Sequence, residues 1–275
     1  MKLLIGGQWV EAVSGREEEV ASPFDGSVVG SVSLAGLEDV DTALAAATEG
    51  AKVWRRTPAH QRMRILLQAA ALADERAEAI AQTISAEAGK AITEARGEAS
   101  RSGELIRLAA FEGTQLYGDS LPLDANPGTG FDKVGFTVRQ PVGVVVAITP
   151  FNYPSLLVLH KVAPALAAGN AVVLKPARTT PLTALALAAC FVDAGLPEGV
   201  LSVLTGSGGE LGDALVGDPR VNKISFTGST LTGTRITQRA GVKKLSLELG
   251  PPAPSSCCPT RTSTLPQPLS LSGGS

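Results

Sequence analysis

The chain has 275 residues, 44% of them hydrophobic and 18% charged, and this length can bury one large core or two modest ones. This balance is typical of a soluble globular protein and excludes a disordered or fibrous chain. A formal net charge of -2 and a pI near 5.8 give no electrostatic reason to expect nucleic acid or an anionic membrane as a partner.

The start of the chain does not resemble a signal peptide, because it has one basic residue in its opening stretch, no long apolar core and an early Trp9. The most apolar run, 156–168, is shorter than the roughly 20 residues that a membrane span needs and contains Pro164. Three cysteines, two of them adjacent, predict no disulfide framework. We therefore expect a cytoplasmic protein without a membrane or nucleic-acid partner and without a metal site.

The first 113 residues are predicted to be mostly helical, after a short strand-like opening and a charged loop. A helix over 40–47 can be capped by Asp39 or Asp41. Apolar residues recur at three- and four-residue spacing over 61–88, which predicts one long helix, and another helical segment follows over 91–110.

The segment 119–140 differs from the helical part before it. Proline and glycine occur around 126–130, and Val134, Phe136 and Val138 alternate with other residues. This pattern predicts a β-hairpin that projects from the helices.

From Pro141 onward, short apolar strands alternate with helices. The predicted strands are 142–148, 171–174, 200–204, 223–226 and 243–248, and the predicted helices lie between 152 and 169, between 180 and 195, over 210–216 and over 229–240. Thr180 and Pro181 form a favourable N-cap and N1 pair. The alternation predicts an α/β fold with a doubly wound parallel sheet, Rossmann-like, in which ligands bind at the carboxyl ends of the strands.

Two turns of this sheet have features of a phosphate site. Four glycines between 206 and 212 follow a strand, but the spacing is not G-x-G-x-x-G because position 211 is Leu. The turn 226–230 places Gly228 and hydroxyl residues where a strand becomes a helix, and exposed N–H groups there suit a pyrophosphate. Ordinary turns, with Ser229 as an N-cap, explain the same residues equally well.

Five segments taken together are more specific. They are TPFNYP at 149–154, KVAPALAAGN at 161–170, VLKPA at 173–177, KISFTGST at 223–230 and LELG at 247–250. In order and spacing they resemble the NAD(P)-dependent aldehyde dehydrogenase superfamily, and the likeness continues from the N-terminus to Gly250. The resemblance implies a cofactor-binding domain over 1–250 that binds NAD or NADP. It also implies homo-oligomers, with the hairpin as the oligomerisation arm.

The resemblance assigns two catalytic roles. Asn152 matches an oxyanion-hole asparagine, a donor of the kind that contributes about 2.7–4 kcal/mol in other enzymes. Without the family, a helix-capping role is favoured for Asn152. Glu248 matches the glutamate that activates the deacylating water, and a mostly apolar strand end should raise its pKa. Its alternative is an edge carboxylate bound to backbone N–H groups.

The resemblance also implies a cofactor site built from several turns. Lys175 matches the lysine that bonds the adenosine ribose, although alone it is more typical of a solvated lysine at a strand end. Gly228 and Ser229 match the pyrophosphate turn, and Gly208 and Gly212 would let the adenine side pack closely. The expected cofactor-binding residues are Ile148, Thr149, Pro150, Phe151, Lys175, Pro176, Ala177, Arg178, Gly208, Gly212, Phe226, Thr227, Gly228, Ser229, Thr232, Leu249 and Gly250.

Arg178 departs from many NAD-preferring relatives, which carry Glu three residues after the lysine. A cation at this position can accept the 2′-phosphate of NADP. The residues favour NAD and NADP equally.

A second departure concerns the nucleophile, which in the family is a cysteine of a second domain beyond the LELG motif. Cys190 is predicted to be a buried packing residue. Cys257 and Cys258 lack the family's flanking residues and lie in a Pro/Ser/Thr-rich segment, 251–275. Read one base earlier from Ser255, with suitable codons, this segment can encode Val-Val-Val-Leu-Pro-Asp-Ala-Asp-Leu-Asp, which resembles the family. We therefore expect a frameshifted, disordered tail and no catalytic domain.

The function implied by the resemblance is oxidation of an aldehyde to a carboxylic acid through a cysteine thiohemiacetal, with hydride passing to NAD(P). Because the nucleophile is lacking, we expect the printed chain to be inactive and prone to aggregation. One alternative is a catalytically dead nucleotide-binding fragment. Another is an acyl-phosphate- or CoA-dependent semialdehyde reductase, against which Glu248 argues because such enzymes need no deacylating water.

Overall fold

A computed structural model describes residues 1–128 and 130–250. The strands of this part are β1 (Leu3–Ile5), β2 (Gln8–Val10), β3 (Glu17–Ala21), β4 (Val28–Ser33), β5 (Ser120–Leu121), β6 (Gly135–Phe136), β7 (Val144–Ile148), β8 (Ala171–Lys175), β9 (Leu201–Val203), β10 (Val221–Ser229) and β11 (Lys244–Gly250). The helices are α1 (Leu37–Trp54), α2 (Ala59–Glu75), α3 (Ala77–Ala88), α4 (Ile92–Ala99), α5 (Ser102–Glu112), α6 (Leu156–Ala167), α7 (Pro181–Asp193), α8 (Glu210–Gly217) and α9 (Thr230–Ala240).

The central sheet has the strand order β11-β10-β7-β8-β9-β1-β2. The five strands from β7 to β11 pair in parallel, which confirms the predicted parallel sheet. β1 adds to β9 in the antiparallel direction and forms a hairpin with β2. The strand-like opening of the chain therefore extends the sheet at one edge.

Helices cover both faces of the sheet, as expected for a doubly wound fold. Val145 and Ala147 of β7 face the core formed with α2–α7, whereas Val144 and Val146 face the core formed with α1, α8 and α9. Side chains alternate along a strand, so one apolar strand contributes to two cores. This explains why the central strands are continuous apolar runs.

The prediction of one helix over 61–88 was wrong. The segment forms α2 and α3, which break at Arg76 (φ -92°, ψ 7°), and 91–110 likewise divides into α4 and α5. α2 packs mainly on α5, whereas α3 packs on α4. The apolar periodicity continues across the break, so spacing alone could not reveal the change of packing partner.

The first helix is longer than expected, and an aspartate in its first turn caps its start. Its N-cap is Gly36, and the Oδ2 atom of Asp39 accepts a hydrogen bond from the Gly36 N–H at 2.8 Å. Asp39 thus caps from the third helical position. Near the other end, Trp54 is fully buried and its indole N–H donates to the Leu166 carbonyl at 2.8 Å.

Two smaller sheets lie outside the central one. The expected charged loop near the N-terminus contains β3, which pairs with β4 in the antiparallel direction. The predicted hairpin is present, but β5 and β6 pair over only two residues each. Phe131, Val134, Phe136 and Val138 of this arm are all strongly exposed.

The described helices include none that is both long and apolar enough to cross a membrane. The expected disordered tail, with Cys257 and Cys258, lies outside the described residues.

Candidate functional site

Two concave regions lie at or beside the carboxyl ends of the parallel strands. The first, which we call the glycine cavity, has a volume of about 330 Å³ and lies between α8, α9 and the ends of β7 and β8. The second, which we call the polar groove, is a larger open depression of about 1580 Å³. Ile148, Lys175, Gly208, Gly212 and Thr232 of the expected cofactor set line the glycine cavity. Asn152, Thr227 and Glu248 line the polar groove.

Two glycines leave free space at the wall of the glycine cavity. A Cβ atom placed on Gly208 or Gly212 would meet no other heavy atom within 4 Å, so the space beside these residues belongs to the cavity. A ligand there can therefore approach the backbone closely, which side chains would prevent.

Lys175 ends β8 and is almost completely buried, with 4% of its surface exposed. Burial, assisted by the nearby charge of Arg178, lowers the pKa of Lys175 to about 8. Its Nζ atom donates to the Pro176 carbonyl at 3.0 Å, the one acceptor found for it among the described residues. An ammonium has three donors, so Lys175 can offer further hydrogen bonds to a ligand.

The start of α9 forms the next part of the wall. Ser229 is the N-cap, as predicted, and its Oγ atom accepts a hydrogen bond from the Thr232 N–H at 3.3 Å. A Cβ atom on Gly228 would come within 2.5 Å of the Phe226 ring, so Phe226 would have to move to admit a larger residue. The remaining first-turn N–H groups face the carboxyl end of the sheet, where anions bind well.

The polar groove is produced by strand alternation. Lys223, Ser225 and Thr227 of β10 line it, as do Ser246 and Glu248 of β11. Thr227 pairs directly with Glu248 across the two strands. The intervening residues Ile224 and Phe226 face the opposite side and belong to the core. Thr227, expected at the cofactor, therefore lies in the groove with Glu248.

Glu248 does not have the expected apolar surroundings. Its strand is the outermost of the described sheet, and residues 248–250 are exposed. The face of β11 that carries Glu248 is polar, because Lys244 and Ser246 alternate with the leucines on the same strand. The alternative of binding to backbone N–H groups is also not observed among the described residues.

Lys161 is a groove residue that the sequence analysis did not place in the site. It lies on α6, is 7% exposed, and its Nζ atom donates to the Ser225 Oγ at 3.3 Å. Burial lowers the pKa of Lys161, and the charge of Glu248 opposes this effect. The available signal was a lysine within the apolar run 156–168. His160 also lines the groove.

Asn152 lies before α6 and does not cap it. The helix begins at Leu156 with Ser155 as its N-cap, so the predicted start at 152–154 and the capping alternative for Asn152 were both wrong. The Asn152 side chain is exposed to the groove and makes no hydrogen bond to another described residue. Its amide is therefore available to a ligand.

A buried carboxylate holds the segment beside Asn152. The Oε1 atom of Glu98 accepts hydrogen bonds from the N–H groups of Ser155 at 2.8 Å and Leu156 at 3.2 Å. Its other oxygen accepts from Lys90 at 2.5 Å, and the Lys90 ammonium lies 3.7 Å from the centroid of the Tyr153 ring. Glu98 of α4 thereby fixes the start of α6, and Lys90, which precedes α4, contacts the residue next to Asn152.

Glu87 holds the start of α7 in the same way that Glu98 holds the start of α6. It accepts hydrogen bonds from the N–H groups of Leu182 at 2.8 Å and Thr183 at 2.9 Å, and burial raises its pKa to about 7. Thr180 occupies the N-cap position, but its hydroxyl is buried without a partner among the described residues. The N-cap position of α7 was predicted correctly, but the capping side chain was not, because Glu87 comes from a distant helix.

Arg178 is engaged by a residue that the sequence analysis did not consider. Its Nε atom lies 2.8 Å and 2.9 Å from the two carboxylate oxygens of Glu18, and its Nη2 atom also contacts Oε1. This bidentate pair joins β3 to the loop after β8, and it raises the pKa of Arg178.

The other expected cofactor residues flank these features. The Thr149 N–H donates to the Lys175 carbonyl at 3.3 Å, which joins the ends of β7 and β8. The Thr230 hydroxyl donates to the Gly250 carbonyl at 2.7 Å. Thr149 and Pro176 are buried, Pro150 and Ala177 are half-buried, and Phe151 and Leu249 are exposed.

Cys190 is the one cysteine among the described residues, and it is buried in α7, as predicted. Burial raises the pKa of its thiol. A buried, protonated thiol is a poor nucleophile, so Cys190 is a packing residue.

Comparison with known proteins identifies the fold. A crystal structure of NADP-dependent glyceraldehyde-3-phosphate dehydrogenase from Bacillus halodurans C-125, complexed with NADP, is 40% identical with a TM-score of 0.88. The match covers 90% of this chain and 52% of that one. A betaine aldehyde dehydrogenase from Staphylococcus aureus in complex with NAD+ is 31% identical with a TM-score of 0.86, over 90% and 50% of the two chains.

Curated proteins of similar sequence also match over most of this chain. A 3-sulfolactaldehyde dehydrogenase of Priestia aryabhattai is 42% identical over 248 residues, which are 90% of this chain and 51% of the relative. An NADP(+) succinate-semialdehyde dehydrogenase of Escherichia coli (strain K12) is 41% identical over 253 residues, with 91% and 52% covered. The chain spans about half the length of these relatives. The model of the aldehyde dehydrogenase family matches residues 9–258, and the chain therefore belongs to that family.

Proposed function

We propose that residues 1–250 are the cofactor-binding part of an aldehyde-oxidising enzyme and bind NAD or NADP in the glycine cavity. One observation carries the proposal: the cavity and the polar groove both lie at the carboxyl ends of the parallel strands. Thr227 lines the groove with Asn152 and Glu248, and the strand continues through Ser229 into the wall that contains Thr232. A dinucleotide held by the cavity would thus extend toward the two expected catalytic side chains.

The residues of the cavity fit such a ligand. Gly208 and Gly212 leave space for an adenine nucleotide, and Lys175 has spare donors for ribose hydroxyls. The start of α9 suits the pyrophosphate, because unpaired N–H groups and the helix dipole favour a negative charge. The NADP and NAD+ complexes of the similar solved structures support this choice of ligand.

The groove supplies groups for the chemistry of the aldehyde. A nicotinamide held at the groove would supply the acceptor for a hydride from the substrate. The free amide of Asn152 would donate to the aldehyde oxygen as negative charge develops on it. The exposed carboxylate of Glu248 would accept a proton from the water that releases the acyl group, with the buried cation Lys161 close by.

The described residues do not supply an attacking thiol, because Cys190 is buried in the apolar core. We therefore propose that the 275-residue chain binds a dinucleotide without turning over aldehydes. Reduced cofactor should not accumulate when the purified chain is mixed with NAD or NADP and a panel of aldehydes. Turnover that disappears in Cys257→Ser or Cys258→Ser would contradict this expectation.

Calorimetric titration with NAD+ and NADP+ tests the binding proposal. Lys175→Met should weaken binding about tenfold, the loss expected when a charged hydrogen-bond donor is removed. The matched control is Lys52→Met, since Lys52 is an exposed lysine of α1. Unchanged affinity in Lys175→Met, or an equal loss in both variants, would reject the cavity as the binding site.

A further inference from the structure

Glu18 and Arg178 form an ion pair that spans two separate sheets. Both carboxylate oxygens contact one edge of the guanidinium, the edge formed by Nε and Nη2. Arg178 remains 61% exposed and Glu18 26% exposed. Nη1 makes no hydrogen bond to another described residue, so it can donate to a ligand.

The pair lies close to the glycine cavity. Arg178 follows Lys175 by three residues, and its charge contributes to the lowered pKa of the buried Lys175 ammonium. An anionic group bound near Lys175 would therefore also lie within the field of Arg178.

β3 presents Glu18 to Arg178 specifically. The strand carries three consecutive glutamates, and side chains alternate along it, so Glu17 and Glu19 point away from Glu18. Both neighbours are exposed, whereas Glu18 is half-buried opposite Val32 of β4. Among the described residues, neither Glu17 nor Glu19 forms an ion pair.

We propose that Glu18 is a specificity-determining residue of the cofactor site: it neutralises Arg178 and thereby prevents the chain from preferring NADP over NAD. The inference rests on the proposed dinucleotide binding. The ion pair has no net charge, so the 2′-phosphate of NADP gains no net attraction from Arg178. The 2′-phosphate would also approach the Glu18 carboxylate, and the two negative charges would repel each other. The 2′-hydroxyl of NAD carries no charge and is not repelled.

Glu18→Gln tests this inference in the 275-residue chain, with Glu17→Gln and Glu19→Gln as matched controls for the loss of one negative charge. Calorimetry should show NADP+ binding about threefold to fivefold tighter in Glu18→Gln, with NAD+ affinity little changed, as expected for releasing one exposed ion pair. The controls should keep the parent ratio of the two dissociation constants.

The outcomes separate the two proposals. A parent chain that binds neither dinucleotide contradicts the proposed function itself. If the parent binds a dinucleotide and the ratio of the two dissociation constants is the same in Glu18→Gln as in Glu17→Gln, the proposed role of Glu18 is overturned. The proposed function is not affected by that result. Weaker NADP+ binding in Glu18→Gln also overturns it, since Glu18 would then orient Arg178 for the phosphate.

Arg178→Gln provides a second, independent variant. It leaves Glu18 uncompensated, so NADP+ should bind more weakly than in the parent, and adding Glu18→Gln should recover that loss. A double variant that binds NADP+ no better than Arg178→Gln would count against the electrostatic explanation.

Discussion

Lys175 titrates in a range that a binding measurement can reach, because burial lowers its pKa to about 8. Below that pH the side chain is an ammonium and a strong donor to ribose hydroxyls, and above it the neutral amine is a weaker one. We therefore expect NAD+ affinity to fall as the pH is raised from about 7 to about 9.5, across the pKa of a partly desolvated lysine.

Calorimetry at several pH values, in buffers of equal ionic strength, measures this dependence. Lys175→Met should bind more weakly throughout and show little change over the same range. If the parent and Lys175→Met have parallel pH profiles, another group causes the change in affinity.

The start of α6 depends on a single carboxylate from α4. Replacing Glu98 by Ala leaves the N–H groups of Ser155 and Leu156 without their acceptor and Lys90 without its partner in a largely buried pair. The free energy of unfolding should fall by about 3 kcal/mol, as for a broken buried ion pair. Urea unfolding checks this value.

Glu94→Ala is the control for that variant, because Glu94 is exposed on the same helix. Its effect on the free energy of unfolding should stay within about 0.5 kcal/mol. Equal effects of the two substitutions would mean that the contacts of Glu98 contribute little to stability.

At the start of α7, the raised pKa of Glu87 predicts a stability that depends on pH. The folded chain has a pKa of about 7 against an ordinary value of 4.5, so between these values it binds more protons than the unfolded chain. The contribution of Glu87 is thus fully present below about pH 4.5 and is lost as the pH rises through 7, by up to about 3 kcal/mol.

Urea unfolding of the parent and of Glu87→Gln at pH values across this window measures the effect. The difference between their unfolding free energies should shift in favour of Glu87→Gln as the pH rises. Glu75→Gln, at an exposed position of α2, should follow the parent. A constant difference between the parent and Glu87→Gln would contradict the assignment.

Sequence patterns predicted the parallel strands well, because buried strands between helices are continuous apolar runs with turn residues at both ends. They failed at helix boundaries, since a break at Arg76 leaves the apolar spacing intact. The same limit applies to the site. The VLKPA motif pointed to Lys175 as a candidate site residue. Glu18, Glu87 and Glu98 instead bind residues far away in the chain, and no local pattern encodes those pairings.

For the molecule as a whole, the hairpin arm is the feature that should govern association. Val134 and Phe136 are 87% and 70% exposed, and β5 and β6 together offer only a short antiparallel pair. We propose that the arm associates with other copies of the chain, because exposed apolar side chains beside an open strand edge favour pairing. Sedimentation velocity at increasing protein concentration should show larger species.

The double substitution Val134→Thr and Phe136→Ser should shift that distribution toward the monomer. Val242→Thr is the control, since Val242 is fully exposed in a different part of the molecule. If both variants associate like the parent, the arm is not the associating surface.

Glu87 and Glu98 also link the outer helices to the helices that cover the sheet, and this has a consequence for amide hydrogen exchange. First-turn amides of a helix have no acceptor within the helix and ordinarily exchange quickly. The amides of Leu182, Thr183, Ser155 and Leu156 each donate to a buried carboxylate, so their exchange requires α3 or α4 to separate from the layer beneath. They should exchange as slowly as strand amides of the core, whereas exposed Leu231 in the first turn of α9 should exchange early.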